Sequence, residues 1–100
     1  MKIELPPSLS KNGFGGSTRP EDLIIRTELT DIRDYIQACF PQPRARFNQK
    51  QSSYGLKHKV ERQLNRYVSN GELIAAMILC GYAYQIVDWL NCVFDMDTWR

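Results

Sequence analysis

The chain has 100 residues, 43% of them hydrophobic, and a formal net charge of +2. This size leaves room for one hydrophobic core, and the composition is that of a folded domain rather than a disordered chain. The longest apolar run, residues 73–80, is far shorter than the roughly 20 residues that cross a bilayer. The first residues carry no secretory signal pattern. These features argue against a membrane-spanning or secreted protein and predict a single cytoplasmic domain.

The N-terminal segment, residues 1–17, is predicted to be a flexible arm. It contains two adjacent prolines and a glycine-rich cluster, and it shows no sustained hydrophobic periodicity. The folded, mainly helical domain is then expected to cover residues 18–100. It begins with a capping box, in which the Thr18 hydroxyl accepts from a first-turn amide and Glu21 reaches back to the cap.

Two amphipathic helices are predicted next. The first has an apolar stripe, with Ile25, Leu29, Ile32 and Ile36 spaced three or four residues apart. It ends before Pro41, because proline cannot donate a backbone hydrogen bond. Residues 44–51 are polar and basic and are predicted to be a loop. The second helix starts near Ser53 and turns its apolar side chains to one side, namely Leu56, Val60, Leu64 and Tyr67.

A third helix and a C-terminal hairpin complete the predicted fold. Ser69 and Glu72 form a second capping box, residues 73–80 contain no polar side chain, and Gly81 is placed to end the helix in the left-handed conformation. A helix that is apolar on all sides must be enclosed by its neighbours. Two period-two segments, 82–86 and 92–96, predict a hairpin. The expected fold class is α+β, mainly α, with three helices, a buried third helix and a C-terminal β-hairpin.

The sequence holds no arrangement typical of catalysis, of a cofactor site or of a metal site. His58 is the only histidine, no nucleophile lies at a catalytic spacing from it, and the acidic residues form no paired set. The three cysteines, Cys39, Cys80 and Cys92, have no two-residue spacing between them and are predicted to be buried, reduced thiols. We therefore expect a noncatalytic protein.

A local excess of basic residues is the main functional signal. Residues 43–66 contain seven Lys or Arg and one Glu, a net charge of +6 in a chain whose total is +2. Such an excess points to a polyanion or an acidic protein surface as partner, and the alternative is a solvated helix surface without a partner. The predicted partner-binding residues are Arg44, Arg46, Lys50, Tyr54, His58, Lys59, Arg62 and Arg66, with Trp89 as a second apolar anchor.

The order of helices and hairpin also suits a winged helix-turn-helix, a fold that binds DNA. Its recognition helix would be residues 73–80, which offer no polar side chain to read a base edge. Contact with DNA or RNA would then use the preceding basic residues, through phosphates. At the hairpin tip, Trp89 either folds back onto the core or forms an interaction hot spot, and self-association into a homodimer through this tip is an equal alternative.

Several segments resemble small proteins of bacteriophages and other mobile elements. They are SYGLKH at residues 53–58, YVSNGELI at 67–74 and Gly81-Tyr82, followed by Asn91 and Phe94. The resemblance implies an accessory protein in the cytoplasm of a bacterial host that counters host defence, as an anti-CRISPR protein does. Its partner would be a bacterial host protein or ribonucleoprotein complex. The second expectation, ranked below the first, is a small nucleic-acid-binding protein or transcriptional regulator that uses the same basic residues.

Overall fold

The computed structural model describes residues 9–10, 13–14, 29–44, 46–87 and 91–96. In chain order the elements are β1 (Leu9–Ser10), β2 (Gly13–Phe14), α1 (Thr30–Cys39), α2 (Ser53–Leu64), α3 (Asn70–Leu79), β3 (Tyr84–Ile86) and β4 (Cys92–Phe94). Strands β1 and β2 form one antiparallel pair, and β3 and β4 form another. The predicted α+β fold with three helices and a C-terminal hairpin is confirmed.

Helix α3 lies at the centre of the fold, as its uniformly apolar sequence predicts. Six consecutive side chains, residues 73–78, are buried, and the helix packs against α1, α2 and the β1–β2 pair. Phe94 of β4 is fully buried in the same core. Helix α3 has ten residues, and no helix among the described residues combines the length and apolarity needed to span a membrane.

Both ends of α3 are set by the residues that the sequence analysis singled out. The Ser69 hydroxyl accepts from the Glu72 amide at 3.1 Å, and the Glu72 carboxylate accepts from the Ser69 amide at 2.9 Å. At the other end, Gly81 has φ +99°, and its amide donates to the Ile78 carbonyl at 3.0 Å. The Tyr82 amide donates to the Met77 carbonyl at 3.1 Å, which completes a Schellman motif. Both predicted caps are confirmed.

Helices α1 and α2 end where the backbone leaves the helical region. Phe40 is extended, with φ −90° and ψ 150°, as expected for a residue that precedes proline. Asn65 ends α2 in the left-handed conformation at φ 55°, which asparagine tolerates better than most residues. The predicted first helix began at Thr18, and that capping box and Ile25 lie outside the described residues.

One core side chain comes from the segment that the sequence predicts to be an arm. Leu9 is buried in the main core, and β1 and β2 both contact α3. Among the described residues of this segment, β1 therefore pairs with β2, and the Leu9 side chain packs in the main core. The boundary between arm and domain at residue 17 stays a prediction.

The polar segment before α2 runs along the free edge of β4. Pro43 and Met96 form an isolated bridge, Ser52 and Val93 form a second one, and the Asn48 amide donates to the Phe94 carbonyl at 2.9 Å. The Gln49 and Gln85 side chains are hydrogen-bonded at 3.2 Å. Gln85 of β3 is the register partner of Val93 of β4, so both side chains lie on the same face of the hairpin. The hydrogen-bonded side-chain amides of Gln49 and Gln85 therefore meet across the outer face of β4, where Val93 is buried. The predicted loop is therefore fixed against the sheet.

The three cysteines differ in burial. Cys92 is buried, and burial raises the pKa of its thiol to about 12 although the Ser53 hydroxyl opposes the shift. Cys80 is half-buried, and burial also raises its pKa. Cys39 is exposed, so the prediction of a buried thiol is wrong there. Ile36 and Phe40 face the core, and Cys39 therefore falls on the outer side of α1.

Candidate binding surface on the second helix

The outward face of α2 combines aromatic and basic side chains. Tyr54, His58 and Arg62 are spaced four residues apart and are all exposed, so they form one stripe along the helix with a step of about 6 Å. Leu56 and Val60 lie on the opposite side and are fully buried. This burial pattern directs the stripe, hereafter the outward face, away from the core.

Two exposed tyrosines are held in place here, Tyr54 on the outward face and Tyr67 beyond the end of α2. Tyr54 is 53% exposed and Tyr67 is 69% exposed. The Tyr54 ring meets the His58 ring edge to face, with centroids 4.5 Å apart and an interplanar angle of 89°. The Lys57 ammonium lies 5.8 Å from the Tyr54 ring centroid and 4.9 Å from that of Tyr67. Both distances are within cation–π range, so both rings are positioned before any partner arrives.

Glu61 organises the base of this cluster. Its carboxylate accepts from the Lys57 ammonium at 2.7 Å, from the Val68 amide at 3.2 Å, and contacts His58 Nδ1 at 3.2 Å. The Lys57 side chain is only 9% exposed and is neutralised here rather than presented to solvent. Burial alone would raise the pKa of Glu61, but the hydrogen bonds from Lys57 and Val68 outweigh it and hold that pKa below its ordinary value.

We expect Glu61→Gln to destabilise the fold by about 1 to 2 kcal/mol at pH 7, because Lys57 and the Val68 amide lose a charged acceptor. A carboxyl with a lowered folded-state pKa stabilises the fold above its unfolded pKa of about 4.3, and this contribution is lost as the pH falls through the folded value. The difference between wild type and variant should therefore shrink at pH 3. Urea unfolding at both pH values measures it.

The exposed carboxylate of Asp34 on α1 provides the control for this prediction. Asp34→Asn should change the free energy of unfolding by less than about 0.5 kcal/mol, as is usual for surface positions. An equal loss of stability in Glu61→Gln at pH 7 and pH 3 would contradict the assigned role of the Glu61 charge.

Arg66 does not belong to the outward face, which corrects the sequence interpretation. It follows the left-handed Asn65, so it lies beyond the end of α2. Its guanidinium pairs with both carboxylate oxygens of Asp31 at 2.9 and 3.0 Å, and Nη1 donates to the Tyr67 carbonyl at 2.7 Å. The hydrogen bond from Arg66, with its charge, lowers the pKa of Asp31. Arg66 therefore joins α1 to the connection between α2 and α3.

The remaining predicted residues fall into two groups. Arg44, Arg46 and Lys50 are exposed on the segment beside β4, immediately before α2. Lys59 is half-buried at the border of the outward face. The structure thus gathers Tyr54, His58 and Arg62 on one face, whereas Trp89 lies outside the described residues.

Tyr67 and Gly55 are parts of this surface that the sequence analysis did not assign to it. Tyr67 is predicted to face the core as a continuation of α2, but the helix ends at Leu64 and the ring is exposed. The dipeptide Asn65-Arg66 was the available signal, because asparagine favours the left-handed conformation that ends helices. Gly55 is exposed on α2 between Tyr54 and the buried Leu56.

No protein-family model, no curated protein and no solved structure matches this chain. The chemistry of the outward face is therefore the basis of the functional proposal.

Proposed function

We propose that this protein is noncatalytic and acts by binding a bacterial host complex and blocking its working surface. The single observation that carries the proposal is the pair of exposed, pre-positioned tyrosines, Tyr54 and Tyr67, which both lie within cation–π range of Lys57, while the exposed Arg62 lies on the same helix face as Tyr54. Tyrosine and arginine are, with tryptophan, the residue types enriched at the energetic centres of interfaces. Rings that are already held lose less side-chain entropy on binding.

The charge of this surface indicates an acidic partner. Among the described residues, Arg46, Lys50 and Arg62 are exposed and form no ion pair with a carboxylate. The acidic Glu61, which precedes Arg62 in α2, is occupied by Lys57 and the Val68 amide. An acidic protein surface, or the nucleic acid that a ribonucleoprotein holds, would complement these cations.

The resemblance of the segments at 53–58 and 67–74 to phage and mobile-element proteins supports a bacterial host as the setting. Host defence, with CRISPR-Cas machinery as the sharpest case, is the proposed target, and the cytoplasm of the host cell is the proposed location. A binder without catalytic groups would inhibit such a complex stoichiometrically.

A small nucleic-acid-binding protein or transcriptional regulator is the second candidate. The exposed cations Arg46, Lys50 and Arg62 favour it, because most hydrogen bonds between proteins and DNA go to the sugar-phosphate backbone, and Lys and Arg neutralise its phosphates. Reading of a duplex by α3, as in a winged helix-turn-helix, is not part of this candidate, because residues 73–78 of α3 are buried.

A pull-down of the tagged protein from bacterial lysate, with and without nuclease, tests the proposal. We expect a host protein complex recovered in a fixed ratio, with its proteins identified by mass spectrometry and retained after nuclease treatment. Recovery of nucleic acid alone, with every protein lost on digestion, would refute the leading function and leave the second candidate.

A further inference from the structure

Gly55 is a residue that the fold does not require. It is in the first turns of α2, where its backbone is helical, and it is exposed. Apart from its two chain neighbours and the backbone of its own helix, a Cβ built at this position would meet no heavy atom within 4 Å. Gly81, by contrast, adopts φ +99°, which side chains rarely tolerate. Since glycine is a poor helix former, alanine at position 55 would be accommodated and would favour the helix.

The position of Gly55 on α2 makes its lack of a side chain relevant to binding. His58, three residues after Gly55, is its neighbour on the helix surface. Arg62, seven residues after Gly55, lies two turns along the helix from it on the same side. Tyr54 stands next to it in the chain with its ring exposed. The backbone of α2 is therefore open at one point, with the Tyr54 ring next to it in the chain and the Arg62 guanidinium two turns away on the same side. A partner chain can approach the helix more closely at this point than anywhere a side chain intervenes.

We propose that the occupant of the outward face is a single nucleic-acid strand, whose sugar-phosphate backbone crosses α2 at Gly55. In this arrangement Arg62 contacts a phosphate and a base stacks on the Tyr54 ring. The charge of the face complements a polyanion, because Arg62 has no carboxylate partner among the described residues and Glu61 is engaged by Lys57 and Val68. The inference rests on the proposed function, since it names what the host complex presents.

A single strand fits these features better than a duplex does. Stacking on Tyr54 or Tyr67 needs an unpaired base with an open face, and a duplex hides its base faces inside the stack. Tyr54 and Tyr67 are both exposed residues, at 53% and 69%. A strand of DNA or RNA offers the same phosphates and base faces, so the class is single-stranded nucleic acid, and the 2′-hydroxyl distinguishes its two sources.

The test uses the whole protein and fluorescently labelled strands of about 12 nucleotides, within the range of sites for such binders. Fluorescence anisotropy measures the Kd for a DNA strand, for an RNA strand of the same sequence and for the corresponding duplex. We expect one or both single strands to bind at least 10-fold more tightly than the duplex. The affinity should fall as salt rises, with a logarithmic slope of about −0.7 for each phosphate contacted.

The decisive variant is Gly55→Ala. Its Tm should rise by roughly 2 to 8 °C, because alanine is the better helix former, while its Kd for the strand rises at least 10-fold, because the methyl group occupies the crossing point. Gln63→Ala, an exposed change near the end of the same helix, is the matched control and should bind as the wild type does. Gain of stability with loss of binding is a combination that a merely structural role would not produce.

Two outcomes overturn the inference. One is a Gly55→Ala variant that is more stable and binds the strand as tightly as the wild type. The other is a wild-type protein that binds no single strand although it recovers a nuclease-resistant host complex, which would leave the proposed function standing with a protein surface as partner. Strand binding without any host complex would do the reverse, supporting the inference and refuting the leading function.

Discussion

Ile74→Asp is expected to unfold the protein. Ile74 lies in the middle of α3 with no exposed surface, and it packs in the core that α1, α2 and the short strands share with α3. Burial of an unpaired carboxylate costs several kcal/mol, and the packing of the isoleucine is lost as well. Because small domains are stable by only about 5 to 15 kcal/mol, we expect little folded protein at pH 7.

Far-UV circular dichroism and urea titration measure this effect. The matched control is Gln42→Asp, which adds the same charge at an exposed position in the connection between α1 and α2 and should change stability by less than about 0.5 kcal/mol. Ile74→Val should remain folded and cost about 1 kcal/mol. An Ile74→Asp protein that unfolds cooperatively at the wild-type urea concentration would disprove the central position of α3.

Combining Tyr54→Ala with Arg62→Glu should reduce the affinity for the partner by about 100-fold or more. Each residue has the type and exposure of an interface hot spot, and such residues contribute roughly 2 kcal/mol or more each when truncated. Charge reversal at Arg62 also repels an acidic or phosphate surface. Neither side chain belongs to the core, so the Tm should change by only a few degrees.

Two measurements test this double variant: the amount of partner recovered in the pull-down, and the Kd for the single strand from fluorescence anisotropy. Gln37→Glu on α1 is the control, because it changes charge at an exposed position away from α2. Arg66 is left unchanged, since its reversal would place a glutamate against Asp31 and destabilise the fold. Full retention of partner recovery by the folded double variant would show that the outward face is an ordinary solvated surface.

The central helix α3 and both of its ends could be predicted from the sequence. The uniformly apolar run of α3, the Ser69–Glu72 capping box and Gly81 are all signals confined to a few neighbouring residues. The exposed stripe of Tyr54, His58 and Arg62 follows from helical periodicity in the same way. These features were predictable because backbone hydrogen bonding and side-chain direction within one helix depend on residues at most four positions apart.

Only the tertiary structure decided which charges remain available. Arg66 looks like the next member of the basic stripe, but it pairs with Asp31, which is 35 residues away in the chain. Lys57 is buried and forms an ion pair with Glu61. The Glu61 carboxylate also accepts a hydrogen bond from the Val68 amide, which lies beyond the end of α2. The segment at 43–52 is fixed along β4 by hydrogen bonds to residues more than 40 positions later. Local periodicity specifies the direction of a side chain along its own helix, whereas its partner is chosen by how the elements pack, and packing depends on the whole core.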